Sequence, residues 1–276
     1  IYTLSLHDAL PICVSGAPLL RSLKRVLASP TLTASTPVSL GGQVFSVLEV
    51  LTSYLRHLRA ELSKREVDIS RARAVVAVPA HAYGAQRLLT LEAFQAAGFC
   101  VAAMLNEPSA AGFEYTHRKA RTVSSRRTRV LVYDLGGGTF DTSLVDVVGT
   151  SHEVLASHGL GHLGGDDVDL LMATMVLNKA GVAEEDLSPS DLDELLDQCR
   201  DAKEHLTPQS RRVLIVLRGQ DIVLPVPDLY EACTPLIERS LATMAPLVGR
   251  LDDGSPDLTD IAGLTQIGRA SCRERV

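Results

Sequence analysis

Two aspartates, Asp134 and Asp141, bracket Gly136, Gly137, Gly138 and Thr139 in the stretch YDLGGGTFD at 133–141. Glycine inside a strand is costly, so a triplet there marks a turn or a backbone that something approaches closely. One reading is a hairpin turn that needs positive φ. The other is a phosphate cradle, in which the backbone N–H groups of the turn converge on phosphate oxygens. Thr139 would add a hydroxyl donor, and the paired carboxylates would hold Mg²⁺ through its waters. Downstream, GHLGGDD at 161–167 repeats the theme, with Gly164 and Gly165 beside acids. Two acid-flanked glycine turns, each abutting a predicted strand, favour the cradle. GxxxxGK[ST] and GxGxxG are both absent, which removes the Walker-type loop and the dinucleotide fingerprint.

The surrounding pattern supplies the elements that must position these residues. Apolar RVLVY at 129–133 and TFDTSLVDVV at 139–148 flank the turn as strands. Upstream, 18–30 reads as a short helix, 31–42 as strand and turn, and 44–62 as an amphipathic helix with leucines at steps of three and four. A buried strand at 72–80, a helix at 83–98, a strand at 99–106 and a helix opening at 107 with Pro108 in its first turn follow. The segment 118–129 is a polar, basic surface loop. After a strand at 151–159 come a helix to about 179, a helix at 191–206, a hairpin at 211–226 turning at RGQD, and a final long helix at 227–251. Strands alternate with helices, then hairpins join, which predicts an α/β or mixed-sheet fold with two lobes.

The chain has 276 residues, 46% hydrophobic and 22% charged, with net charge −6 and no Trp. That is a globular composition, and the acidic balance argues against nucleic acid as a partner. The longest apolar runs, such as VLIVL at 213–217, fall far short of a membrane span, so no membrane partner is expected. Five cysteines without a CxxC suggest neither a disulfide framework nor a zinc site and favour a cytoplasmic protein. His81, His117, His152, His158, His162 and His205 lack metal-ligand spacing and read as packed or solvated side chains.

VVAVPAHAYGAQR, LNEPSAAGFEY, VYDLGGGTFD and HLGGDDVD occur in the order and spacing of the nucleotide-binding domain of DnaK-type heat-shock chaperones, which the chain resembles over nearly all of 18–264. The resemblance implies an actin-like ATPase fold, two lobes each built on a ribonuclease-H-like sheet, with ATP in the cleft. Residues 13–128 would form part of the first lobe and 129–264 part of the second. The hairpin 136–138 with Thr139 would hold the β/γ phosphates, and Asp134 and Asp141 would organise the waters of Mg²⁺ and monovalent cations such as K⁺. Glu107 would lie near metal and attacking water, and Lys24 would contact the γ-phosphate. Pro79 and Arg87 match the pair that relays nucleotide state to the surface. Gly164 and Gly165 would border the nucleotide, while Lys203 and Thr207 match part of the adenosine-binding helix. The partners implied are unfolded peptide, bound by a domain not in this chain, and two co-chaperones, a J-domain protein and a nucleotide exchange factor.

Two positions depart from the family pattern. Arg200 stands where an acid usually bonds the ribose, and Glu204 where a basic residue often follows the lysine. Another actin-like ATPase, a sugar or acid kinase, or a non-hydrolysing nucleotide-binding scaffold of the same fold are the alternatives. The ends differ in kind. TLSLHDALPI at 3–12 can be written ACT CTT TCC CTA CAC GAC GCT CTT CCG ATC, whose reverse complement, read one base later, encodes the IGRASCRERV of 267–276. Both ends therefore resemble one library adapter read on opposite strands. Residues 1–12 and 265–276 are expected to lie outside the fold, and the fragment alone is expected to be inactive as an ATPase.

Overall fold

The computed structural model describes residues 23–40, 42–64, 72–119, 122–252 and 254–267. The stretch 1–12, residues 268–276 and the start of the helix expected over 18–30 lie outside the described residues. The architecture is mixed α/β.

Helix α1 (Leu23–Leu27) leads into the hairpin β1 (Pro37–Leu40) and β2 (Gln43–Ser46), then helix α2 (Val47–Lys64). The leucine spacing places the start of that helix at 44, but 43–46 is extended. A capping box explains the shift: Glu49 N–H donates to Ser46 Oγ, and Ser46 N–H donates to the Glu49 carboxylate. The apolar stripe of α2 buries Val47, Leu51 and Leu55 against Leu27, Val38, Leu89 and Ala93. Each such leucine removed from water contributes about 1.5–3 kcal/mol.

Next comes a βαβ unit. Strands β3 (Arg73–Val78) and β4 (Cys100–Asn106) pair in parallel, joined by helix α3 (Gly84–Ala96). Helix α4 (Glu107–Arg118) follows β4 directly. Strands β5 (Arg129–Leu135), β6 (Phe140–Val148) and β7 (Ser151–Leu160) form an antiparallel meander.

Helices α5 (Gly165–Ala180) and α6 (Pro189–Glu204) then pack on the hairpin β8 (Arg212–Leu217) and β9 (Gln220–Pro225) and on helix α7 (Val226–Met244). The two-residue turn of that hairpin puts Arg218 at φ 49° and Gly219 at φ 78°, the left-handed pair that suits strand twist. The last helix ends at Met244, short of the expected 251, and passes into a 3₁₀ turn at Ala245–Leu247. Pro246 has no N–H to continue the ladder.

Short strands β10 (Gly249–Arg250) and β11 (Pro256–Asp257) precede β12 (Ile261–Ile267), which lies parallel to β5 and completes the order β12-β5-β6-β7. Its pairing runs through Thr265–Val132 and Gln266–Tyr133 to Ile267–Asp134, so residues 265–267, expected outside the fold, are instead the end of this strand, held by the parallel ladder to β5. No helix among the described residues is long and apolar enough to cross a membrane.

Candidate functional site

The turn Gly136–Thr139 joins β5 to β6 and is closed by Gly136 N–H donating to Thr139 O at 2.9 Å. Its three glycine carbonyls are all engaged. Gly136 O accepts from Gly165 N–H at 2.9 Å, and Gly137 O from Asp166 N–H at 2.6 Å. Gly138 O accepts from Arg25 Nε at 2.9 Å. In a trans peptide the N–H points opposite to the carbonyl of the same unit. The N–H groups of Gly137, Gly138 and Thr139 therefore face away from α5 and Arg25, and no backbone carbonyl among the described residues accepts from them.

Positive φ is not why the glycines are there, which corrects the hairpin-turn reading. The positive-φ glycines lie elsewhere, at Gly42, Gly98, Gly149, Gly181, Gly219 and Gly254. Close approach instead explains the glycine of the second turn. A Cβ on Gly164 would lie 2.5 Å from Gly137 O and 2.8 Å from Gly136 O. Since backbone atoms cannot step aside cheaply, Gly164→Ala is expected to lower unfolding free energy by about 1–3 kcal/mol. Urea denaturation of the chain checks this; an unchanged midpoint would mean the two turns are not docked as described.

Asp134 and Asp141 are register partners at the root of the turn. Lys24, on α1, donates from Nζ to Glu107 Oε1 at 3.0 Å. Glu107 opens α4 after Asn106, whose side-chain oxygen accepts from Arg87 at 2.8 Å. Arg87 also donates to the carbonyls of Pro79, Ala80 and Ala82, so the expected Pro79–Arg87 pair is in direct contact. Lys24, His81, Thr139 and Asp141 line the adjoining cleft.

Three carboxylates thus share one lysine. Burial opposes the charge of Lys24, but Glu107, Asp134 and Asp141 outweigh it and raise its pKa. Burial pushes Asp134 up to about 7, against the pull of Lys24. Burial also raises Asp141, opposed by His81 and Lys24. Buried oxygens of Glu107 (Oε2) and Asp141 (Oδ1) have no hydrogen-bond partner among the described residues. Crowded, desolvated carboxylates with orphaned oxygens fit a bound cation. Among the described residues no three metal-binding side chains converge, so the fit is to a cation completed by water and phosphate.

The folded pKa of Asp134 lies above its unfolded value. The stability tied to this group is present below the unfolded pKa and is lost as pH rises through about 7. Asp134→Asn, neutral throughout, is expected to flatten the fall in stability of the cation-free chain across about pH 4 to 8. Denaturant midpoints across that range decide it; parallel curves for both proteins would show that Asp134 ionises normally.

Arg25 and Asp167 were not singled out in the sequence, yet they tie the site together. Besides Gly138 O, Arg25 holds Asp167 at 2.8 Å, so the helix carrying Lys24 is fastened to both glycine turns. The signal was adjacency to Lys24 in SLKR. Lys203 sits apart from the cleft-lining set. It is buried, 2.6 Å from Asp169 Oδ1, and donates to Gly165 O at 2.7 Å, bracing the second turn. Gly165 N–H is engaged by Gly136 O. Thr207 is exposed after α6, where its hydroxyl and N–H meet Ser210. Arg200 and Glu204, the two departures, bond each other at 3.3 Å along α6.

Two docked glycine turns, whose 137–139 N–H groups meet no backbone acceptor among the described residues, and two register-paired carboxylates form an arrangement able to take phosphate and a cation, on a mixed α/β frame. The family model described as "Hsp70 protein" matches residues 24–268, and the chain belongs to that family. It is 38% identical over 202 residues to a chaperone protein HscA homolog of Burkholderia pseudomallei (strain 668), covering 72% of this chain and 31% of that protein. A chaperone protein HscA homolog of Laribacter hongkongensis (strain HLHK9) is 35% identical over 230 residues, covering 82% of this chain and 35% of that protein. The chain therefore spans about a third of the length of these relatives.

Proposed function

We propose that the chain is the ATP-binding and ATP-hydrolysing domain of a DnaK-like molecular chaperone, with the two-lobed actin-like fold. The observation that carries this reading is the turn 136–139, whose engaged carbonyls leave the N–H groups of Gly137, Gly138 and Thr139 without a backbone acceptor among the described residues, close to Asp134, Asp141, Glu107 and Lys24. In this reading the N–H groups of Gly137, Gly138 and Thr139 hold the β/γ phosphates, and the Thr139 hydroxyl follows charge on the transferring group. Lys24 leaves Glu107 for the γ-phosphate, which frees the Glu107 carboxylate to orient the attacking water. Asp134 and Asp141 hold the waters of Mg²⁺, with K⁺ as a further cation. The metal, when bound, supplies charge neutralisation at the phosphates. Hydrolysis changes lobe closure, passed outward through Pro79 and Arg87 to a peptide-binding domain, with a J-domain protein and an exchange factor as co-chaperones, in the cytoplasm.

The test is phosphate release from Mg²⁺-ATP by the intact protein. Turnover that rises with added unfolded peptide supports the proposal, and ATP binding without release sinks it. That second result is what a non-hydrolysing scaffold would give. The burial of Lys203 against Asp169, which engages the side chain that the resemblance assigns to adenosine, is the observation favouring that alternative.

A further inference from the structure

His81 follows β3 in the loop that Arg87 clamps, through the carbonyls of Ala80 before it and Ala82 after it. Its imidazole lines the cleft, about half exposed, with Nδ1 3.3 Å from Asp141 Oδ1. That oxygen is buried and has no hydrogen-bond partner among the described residues. Opposite, Gly159 pairs with Asp141 across β6 and β7. A Cβ there would lie 2.5 Å from Asp141 Oδ1 and 3.0 Å from His81 Cε1, so the imidazole and carboxylate meet only because residue 159 has no side chain.

We propose that His81 Nδ1 and Asp141 Oδ1 form a nitrogen–oxygen donor pair that binds a divalent transition cation directly, so that the site prefers Mn²⁺ to Mg²⁺. The inference rests on the phosphate-site reading and changes it at one point: with Mn²⁺, Asp141 touches the cation directly in place of a water, and His81 is added as a ligand. Two ligands about 2.1 Å from one metal lie about 3.0 Å apart at an octahedral angle and about 3.4 Å apart at a tetrahedral one. The observed 3.3 Å falls between. An imidazole nitrogen adds little for Mg²⁺, which selects oxygen and water, and more for first-row transition ions, least for Mn²⁺ and increasingly for the later metals. With two protein donors, phosphate and water fill the remaining positions. The half-exposed imidazole leaves that side open to the cleft.

The test uses the purified chain with MnCl₂, alone and with inorganic phosphate, followed by electron paramagnetic resonance and its spin-echo modulation. Bound Mn²⁺ is expected to show nitrogen modulation from an imidazole. His81→Ala, a change in a half-exposed loop side chain, should abolish that modulation. It should also weaken Mn²⁺ binding roughly tenfold or more, the scale on which metal sites respond to loss of a supporting partner. His81→Gln should behave alike, which separates nitrogen ligation from loop packing. Mn²⁺ whose binding needs Asp141 (lost in Asp141→Asn) but shows no nitrogen modulation overturns this inference and leaves the phosphate site standing. Modulation that survives His81→Ala overturns it as well, because another histidine is then the ligand. Failure of Mn²⁺ to bind in any Asp141-dependent way overturns both.

Discussion

In the intact protein, Thr139→Val is expected to lower ATP turnover by about 10²–10³-fold while ATP affinity stays nearly constant. The substitution keeps the shape of the side chain and the backbone N–H groups of the turn. It removes one hydroxyl, at the end of the turn, from the cleft that Thr139 lines together with Asp141. A contact made to the ground state would change affinity first. One that strengthens as charge develops on the transferring phosphate changes the rate. Single-turnover kinetics with a parallel nucleotide titration separate the two. Equal losses in affinity and rate would make Thr139 an ordinary binding residue, and no loss in either would remove it from the site.

The second large effect lies away from the phosphates. Lys203→Ala is expected to destabilise the chain by about 3–5 kcal/mol, because it leaves Asp169 as an uncompensated charge in the interior. Only 6% of the Lys203 side chain and 2% of the Asp169 side chain are exposed. Burial raises the Asp169 pKa even with Lys203 opposing it, so the pair is expensive to hold and more expensive to break. Replacing both partners together, Lys203→Met with Asp169→Leu, should recover most of the loss. Gly165 O would still lack its Lys203 partner, so the recovered protein should remain weaker in nucleotide binding than in stability. Urea denaturation of the two variants beside the parent tests this. A single variant as stable as the parent would show that Lys203 is no brace.

The sequence made the glycine turn at 136–139 legible because its glycines and acids are contiguous. The βαβ unit was legible too, since VVAVPA and the helix after it follow distinct hydrophobic periods. What it hid was peptide orientation. Which carbonyls of 136–138 are engaged depends on Gly165, Asp166 and Arg25, which lie far away along the chain. His81 was equally hidden. Nothing local distinguishes it from the other histidines, and only the pairing of β6 with β7 brings Gly159 and Asp141 to it. By contrast, the start of α2 could have been placed, because Ser46 and Glu49 have capping-box spacing, but leucine periodicity outweighed that local signal.

The central claim is that the N–H groups of Gly137, Gly138 and Thr139 receive phosphate, and the structure of the intact protein bound to Mg²⁺ and a non-hydrolysable ATP analogue tests it most directly. The account predicts β- or γ-phosphate oxygens within hydrogen-bonding distance of those three N–H groups, at about 2.7–3.2 Å. Gly136, Gly137 and Gly138 should keep their carbonyls on Gly165, Asp166 and Arg25, with Lys24 turned from Glu107 towards the γ-phosphate. Phosphates bound elsewhere, or a turn whose N–H groups face protein while its carbonyls face the ligand, would contradict it.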